Sequence, residues 1–205
     1  MKQTVKRSLK QLARLHGLPY WVFLLLFIIS GAATIGALRH NNETMIALRG
    51  DLYVADKNNG DISGALNKLR VYVYSHMNTN LSSGGDTIKP PIQLKYTYER
   101  LQQAEQGRVD NTNSQIYTDA ENYCQQQDST DFSGRNRVPC VTAYVTSHGT
   151  QAQAIPVGLY EFDFVSPAWS PDFAGWSLAA TVIFFTAFTA SYLADRLNRS
   201  KTGRA

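Results

Sequence analysis

The residues of this 205-residue chain that could do chemistry are few: two cysteines, four histidines, scattered carboxylates and one glycine-rich stretch ahead of a lysine. Cys124 and Cys140 stand sixteen positions apart, with Gly134 and Pro139 between them. In an oxidising compartment such a pair reads as a disulfide closing a loop; a pair of free thiols or a metal site are the alternatives. Metal is disfavoured because neither cysteine has histidines at ligand spacing. His16, His40, His76 and His148 share no ligand spacing either. No nucleophile elbow, zincin or Ser-x-x-Lys pattern occurs, and Asp51, Asp56, Asp61, Glu99 and Glu105 fall where solvated helix faces and ends explain them. The glycine-rich stretch is Ser82 to Leu94, SSGGDTIKPPIQL. A phosphate-cradling loop sets its lysine directly after the second glycine and opens a helix on it. Here Lys89 comes four residues after Gly85 and is followed by Pro90 and Pro91, so the stretch turns the chain. The expectation is a protein with no cofactor, no metal and no catalytic residue.

These residues are held between two apolar runs. Trp21 to Leu38 and Trp176 to Ala194 contain no charged residue, and each matches the roughly twenty residues that cross a hydrocarbon core. Neither shows the polar stripe of a buried core helix. Tyr20, Trp21, Trp169, Trp176 and Tyr192 sit near the ends of the runs, as an interfacial aromatic belt requires. The charge is divided accordingly. Lys2, Lys6, Arg7, Lys10 and Arg14 precede the first run, and Arg196, Arg199, Lys201 and Arg204 follow the second, with Asp195 the sole acid in either tail. Residues 39–174 carry 11 basic against 15 acidic residues. Basic tails flanking apolar spans exclude the single charged face of a nucleic-acid binder and place both termini in the cytoplasm. The expected organisation is a cytoplasmic tail over 1–20, transmembrane helices over 21–38 and 175–194, an extracytoplasmic domain over 39–174 and a second tail over 195–205. A cleaved secretory signal with Ser30-Gly31-Ala32 at its end is the rival for the first run, against which its length counts. Ala32 and Gly36 in the first span, and Ala187 and Ser191 in the second, have the spacing at which helix backbones approach closely in lipid.

Between the spans the apolar period continues. Leu38, Met45 and Leu52 are seven apart, interleaved with Asn41, Leu48 and Ala55, which predicts a coiled-coil-like extension of the first span with Asn41 as its polar exception. Asp56-Lys57-Asn58-Asn59-Gly60 ends it. A second helix runs from an Asp61 cap along Ile62, Ala65, Leu66, Leu69 and Val73 towards His76. A third starts at Pro90-Pro91 and follows Leu94, Tyr98, Leu101 and Ala104. After a turn within Gly107 to Ser114, a fourth follows Ile116, Ala120, Tyr123 and Gln127; one long rod is the alternative to that turn. Val138 to His148 suits a short helix or strand, and Tyr160 to Val165 alternates as an extended segment does. Seven tyrosines (72, 74, 96, 98, 117, 123 and 144) supply core and rim, with the lining of a ligand groove as the alternative. The fold class is therefore mainly α: two transmembrane helices flanking an extracytoplasmic antiparallel helical bundle, with a short extended segment before the second span.

The order of span, helical domain and span resembles the sensory half of bacterial chemoreceptors and sensor kinases. That likeness implies a signalling module after the second span, and residues 195–205 hold none. Residues 72–106, YVYSHMNTNLSSGGDTIKPPIQLKYTYERLQQAEQ, resemble a segment of two-span membrane proteins of Saccharibacteria-type (Patescibacteria) bacteria, which implies an origin and no activity. The expected function is that of a non-enzymatic cell-envelope protein of the plasma membrane. Its partners would be the bilayer and either an envelope protein or a second copy. A signal-coupling subunit with a separate cytoplasmic partner, or an accessory subunit of a transporter or secretion complex, are the alternatives.

Overall fold

The computed structural model describes residues 19–81, 89–127 and 137–202, the last six as backbone alone. The basic tail ahead of Pro19, most of the glycine-rich stretch, and residues 128–136 of the loop between Cys124 and Cys140 lie outside these residues. The described chain is mainly helical. Five α-helices, α1 (Tyr20–Lys57), α2 (Ile62–Ser75), α3 (Lys95–Gln127), α4 (Arg137–His148) and α5 (Phe173–Thr202), are joined by two strands of two residues, β1 (Ile92–Gln93) and β2 (Glu161–Phe162). Two of the helices, α1 and α5, are long and apolar enough to cross a membrane. In their most apolar stretches only 17% and 6% of residues are buried, whereas the core helix of a water-soluble protein would be mostly covered.

The chain between α1 and α5 divides between two compact units. The first unit contains α1 as far as Leu52, the chain from Ser63 to Leu81, and everything described from Phe164 onward. Its axis is a seam along α1. Phe23, Thr34, Asn41, Met45 and Leu52 are buried, with Phe27, Gly31, Leu38 and Leu48 half-buried between them, at the alternating threes and fours of a heptad. The helix has no break at residue 38, because the seam continues without interruption. Along its apolar stretch the seam meets α5 in antiparallel order: Tyr20 with Tyr192 (5.8 Å between ring centroids), Phe27 with Phe185 (5.3 Å), and the Thr34 hydroxyl with that of Thr181 (3.1 Å). Beyond that stretch it meets the chain around α2, whose Leu69 and Val73 are fully buried and followed by buried Met77, Thr79 and Leu81. Arg49 Nη1 donates to the Leu81 carbonyl (3.4 Å), and Asn78 Nδ2 donates to that of Leu38 (3.1 Å).

The second unit contains Tyr53–Ile62 and the described residues 89–163. Here α1 stops where the Asp56–Gly60 pattern places its end. Asn59 adopts the left-handed conformation (φ 51°), Gly60 N–H donates to the Ala55 carbonyl (2.9 Å) and Asn59 N–H to that of Asp56 (3.4 Å), the two bonds of a Schellman stop. The third predicted helix does not begin at Pro90-Pro91. Ile92 and Gln93 first pair antiparallel with Phe162 and Glu161, and α3 starts at Lys95, where Leu94 has no side-chain acceptor for a cap. Asp56 supplies it from outside the helix. Its carboxylate accepts from the N–H groups of Tyr96 (3.0 Å) and Thr97 (2.8 Å), from the Thr97 hydroxyl (2.6 Å) and from Arg100 Nη2 (3.2 Å), and Arg100 Nη1 donates to the Asp56 carbonyl (2.9 Å).

Nor is there a turn within Gly107–Ser114: α3 is one rod. The polar residues that suggested a turn have other partners. Glu105 pairs with Arg108 and Gln106 with Asp110 along the helix, Val109 is buried, and Asn113 reads both backbone groups of Thr150, accepting from its N–H (2.8 Å) and donating to its carbonyl (3.2 Å). The buried face of α3 is accordingly Val109, Ala120 and Cys124; Ala104, Tyr123 and Gln127 are exposed. The segment Val138–His148 is helical within α4, and the extended segment before the second span reduces to β2.

Candidate functional site

The two cysteines are joined. Cys124 and Cys140 form a disulfide with Cα atoms 5.9 Å apart, tying the C-terminal end of α3 to the start of α4. No residue of α4 is fully buried, and twelve residues fall short of the length at which an isolated helix holds in water. The bond, with Tyr123 against Tyr144 (5.4 Å) and Arg137 Nη2 on Gln125 Oε1 (3.3 Å), therefore keeps α4 in place. Its part is structural.

Of the four small residues expected to pack the spans, two face outward on α1 and two are half-buried on α5. Ala32 and Gly36 lie on the exposed side of α1, and a β-carbon at Gly36 would meet nothing within 4 Å; Ala187 and Ser191 are half-buried on α5. The close approach falls one position earlier in the heptad, where a β-carbon on Gly31 would touch Thr181 Cγ2 at 3.9 Å, next to the Thr34–Thr181 hydroxyl pair. Spacing alone does not say which of two adjacent small-residue stripes faces the partner. The seam of larger residues decides it.

With Gly36 turned outward, a groove of about 630 Å³ opens in the first unit. Its floor is apolar, made by Ala33, Gly36 and Ala37 of α1 with Phe173 and Ala174 of α5. One end is polar, where His40, Asn41, Thr44, Tyr72, His76 and Asp172 line it. Asp172 organises that end. It is the N-cap of α5: Oδ1 accepts from the Gly175 N–H (2.9 Å) and from the Ser170 hydroxyl (2.8 Å), while Oδ2 accepts from Asn41 Nδ2 (2.8 Å). The same Asn41 amide reaches the Met77 carbonyl (3.4 Å), and fully buried Ser170 accepts from the Met77 N–H (3.0 Å). Burial pushes the Asp172 carboxyl up, but the three donors and the neighbouring His76 outweigh it and hold the group below the usual carboxylate range. The His76 ring stacks on Tyr72 (4.1 Å between centroids, 15° between planes) with Nδ1 on the Tyr72 carbonyl and the Ser75 hydroxyl. Its Nε2, the Tyr72 hydroxyl and the His40 ring make no hydrogen bond among the described residues.

The chain has no match among known protein families, curated proteins or solved structures.

The groove is the candidate site that the described residues of this unit offer, and most of it escaped sequence reading. Asn41 stood out as a polar residue in an apolar seam, and an Asp immediately ahead of an apolar run is a helix-start signal that could have picked out Asp172. Tyr72, His40 and Ser170 carried no such mark. The second unit offers a smaller groove of about 330 Å³ between α3 and the extended chain from Gln153 to Leu159. Glu105 at its edge accepts from Arg108 (2.7 Å) and from the Gln153 N–H (2.7 Å), which together hold its carboxyl down to about 2. Both polar groups are engaged in holding the segment, and nothing there is poised for a ligand. Among the described residues no three His, Cys, Asp or Glu side chains converge as metal ligands would.

Proposed function

We propose that this chain is a two-span protein of the plasma membrane, with residues 39–174 outside and both termini in the cytoplasm. Its outer part binds another envelope component or a second copy and catalyses no reaction. The observation that carries the reading is the antiparallel pairing of the charge-free apolar stretches of α1 and α5, most of whose residues are left uncovered, a state that lipid satisfies and water does not. The basic tails support the orientation, and the oxidised Cys124–Cys140 pair supports an extracytoplasmic address for the segment between the spans. Substituted-cysteine labelling with a membrane-impermeant maleimide tests the topology. Single cysteines at Asn58 and Gln102 react in intact cells and cysteines in either tail react only after permeabilisation; the reverse pattern defeats the reading. Crosslinking in intact cells followed by mild-detergent capture tests the role, and a chain recovered alone and monomeric contradicts it.

A second reading is favoured by one feature: α1 runs from Tyr20 to Lys57 without a break. A signal-coupling subunit requires such a rigid link. Capture of a stable cytoplasmic signalling protein would select this reading over the first.

A further inference from the structure

From the groove beside Asp172 we infer that this chain binds a single outer-leaflet phospholipid with a primary-amine headgroup. The inference rests on the membrane reading above. A hydrocarbon core of about 30 Å is crossed by some twenty helical residues, so a span entering at Trp21 leaves it near His40. Ala33, Gly36 and Ala37 then lie in the outer half of the hydrocarbon, and His40, Tyr72, His76 and Asp172 stand at headgroup level. An occupant must be apolar at one end and polar at the other.

Two features separate a lipid from a partner helix. The lining begins at Ala33 and ends at Thr44, about 16 Å along α1, and does not continue down the span towards Trp21 as the track of a second helix would. Its polar end also holds hydrogen-bonding groups that remain unused within the described residues: the Tyr72 hydroxyl, His76 Nε2 and the His40 ring. Asp172 Oδ2 accepts one hydrogen bond, from Asn41, and a carboxylate oxygen has room for two.

Charge selects among lipids. No lysine or arginine lines the groove, so an anionic head finds no cation there. The one fixed charge is the Asp172 carboxylate, which suits an ammonium that can donate N–H. An ethanolamine head meets that requirement, while the trimethylated ammonium of choline has no hydrogen to give.

The test uses the full chain in nanodiscs with equal amounts of ethanolamine, choline and glycerol phospholipids of one acyl composition, followed by native mass spectrometry on release. One ethanolamine lipid per chain is retained, at least about tenfold over the other two, as loss of a charge-assisted hydrogen bond implies. Gly36→Phe, which fills the floor where a side chain meets open space, abolishes that retention. Asp172→Asn keeps a good helix cap and removes the charge, so it erases the preference for ethanolamine over choline while the chain stays folded. Equal retention of the three lipids overturns the inference. So does retention unchanged in Gly36→Phe, or an effect of Gly36→Phe confined to loss of a second copy or a partner chain. A chain that carbonate strips from the membrane defeats the membrane reading and this inference together; an embedded chain without lipid preference defeats only the latter.

Discussion

Asp56 offers the sharpest test of how the second unit is built. Its side chain is almost fully buried, at 3% exposure, and replaces the missing cap at the start of α3, while Arg100 is one-third exposed. Asp56→Ala removes the acceptor for the Tyr96 and Thr97 N–H groups, a loss of about 1–2 kcal/mol when an N-cap is truncated. It also removes the carboxylate partner of Arg100. Truncating one member of a fully buried pair costs about 3–5 kcal/mol, but Arg100 is one-third exposed, can turn to water and keeps the Asp56 carbonyl, so only about 1–2 kcal/mol is lost there. The combined expectation is about 3 kcal/mol, or roughly a hundredfold in an opening equilibrium. Asp56→Asn retains an acceptor oxygen for Thr97 but turns an amide donor towards the Tyr96 N–H, for about 1–2 kcal/mol. Amide hydrogen exchange of the full chain in detergent reads this locally: Tyr96 to Glu99 exchange about a hundredfold faster in Asp56→Ala and about tenfold faster in Asp56→Asn. An Asp56→Ala protein exchanging within about threefold of wild type would show that α3 is capped and anchored by something else.

Reduction of Cys124–Cys140, or Cys124→Ser with Cys140→Ser, releases about 3 kcal/mol of loop-closure stabilisation for a separation of this size; α4 loses helicity in far-ultraviolet circular dichroism while α1 and α5 keep theirs. Gly175→Ala places a β-carbon on the Ser170 carbonyl oxygen and 2.8 Å from the Trp169 indole nitrogen, lowering stability by about 1–3 kcal/mol; Gly36→Ala, in open space, leaves the unfolding midpoint in detergent unchanged. The Asp172 carboxylate contributes fully above its ordinary value of 3.8 and loses its contribution as pH falls below that value, because its folded-state value is depressed; protection of the Gly175 and Trp176 amides, taken relative to intrinsic exchange at each pH, falls on acidification, and Asp172→Ala removes the dependence. Glu105, depressed from 4.5 to about 2, keeps Gln153 in place over the window between those values and releases it as pH approaches 2, which the Gln153 amide shift reports.

What the sequence made legible was whatever rests on a repeating pattern or a strong local signal. The apolar runs, the heptad from Leu38 to Leu52, the stop at Asn59-Gly60 and the cysteine pair are of that kind. The failures have a common origin in long-range polar contacts. Asn113 reads as a helix breaker until it is seen holding Thr150, and Pro90-Pro91 read as a helix start until Ile92 and Gln93 are seen paired with a strand some seventy residues away. Asp56 reads as a solvated turn residue because its three partner residues begin forty positions later. The groove was invisible for the same reason: its floor is on α1 and α5, its polar end on α1, the chain around α2 and the α5 cap, and no local stretch contains enough of it to be noticed.

The stripe along α1 serves two neighbours in succession, α5 beside Phe27 and Thr34, then the chain around α2 beside Asn41 and Arg49. Because both share one unbroken helix, they are geared together. Slipping the anchor by a single residue turns every later position on the stripe by about 100°, swinging Asn41 away from Met77 and Asp172 at once. An inserted or deleted alanine deep in the apolar half of α1 is therefore felt first at its polar end.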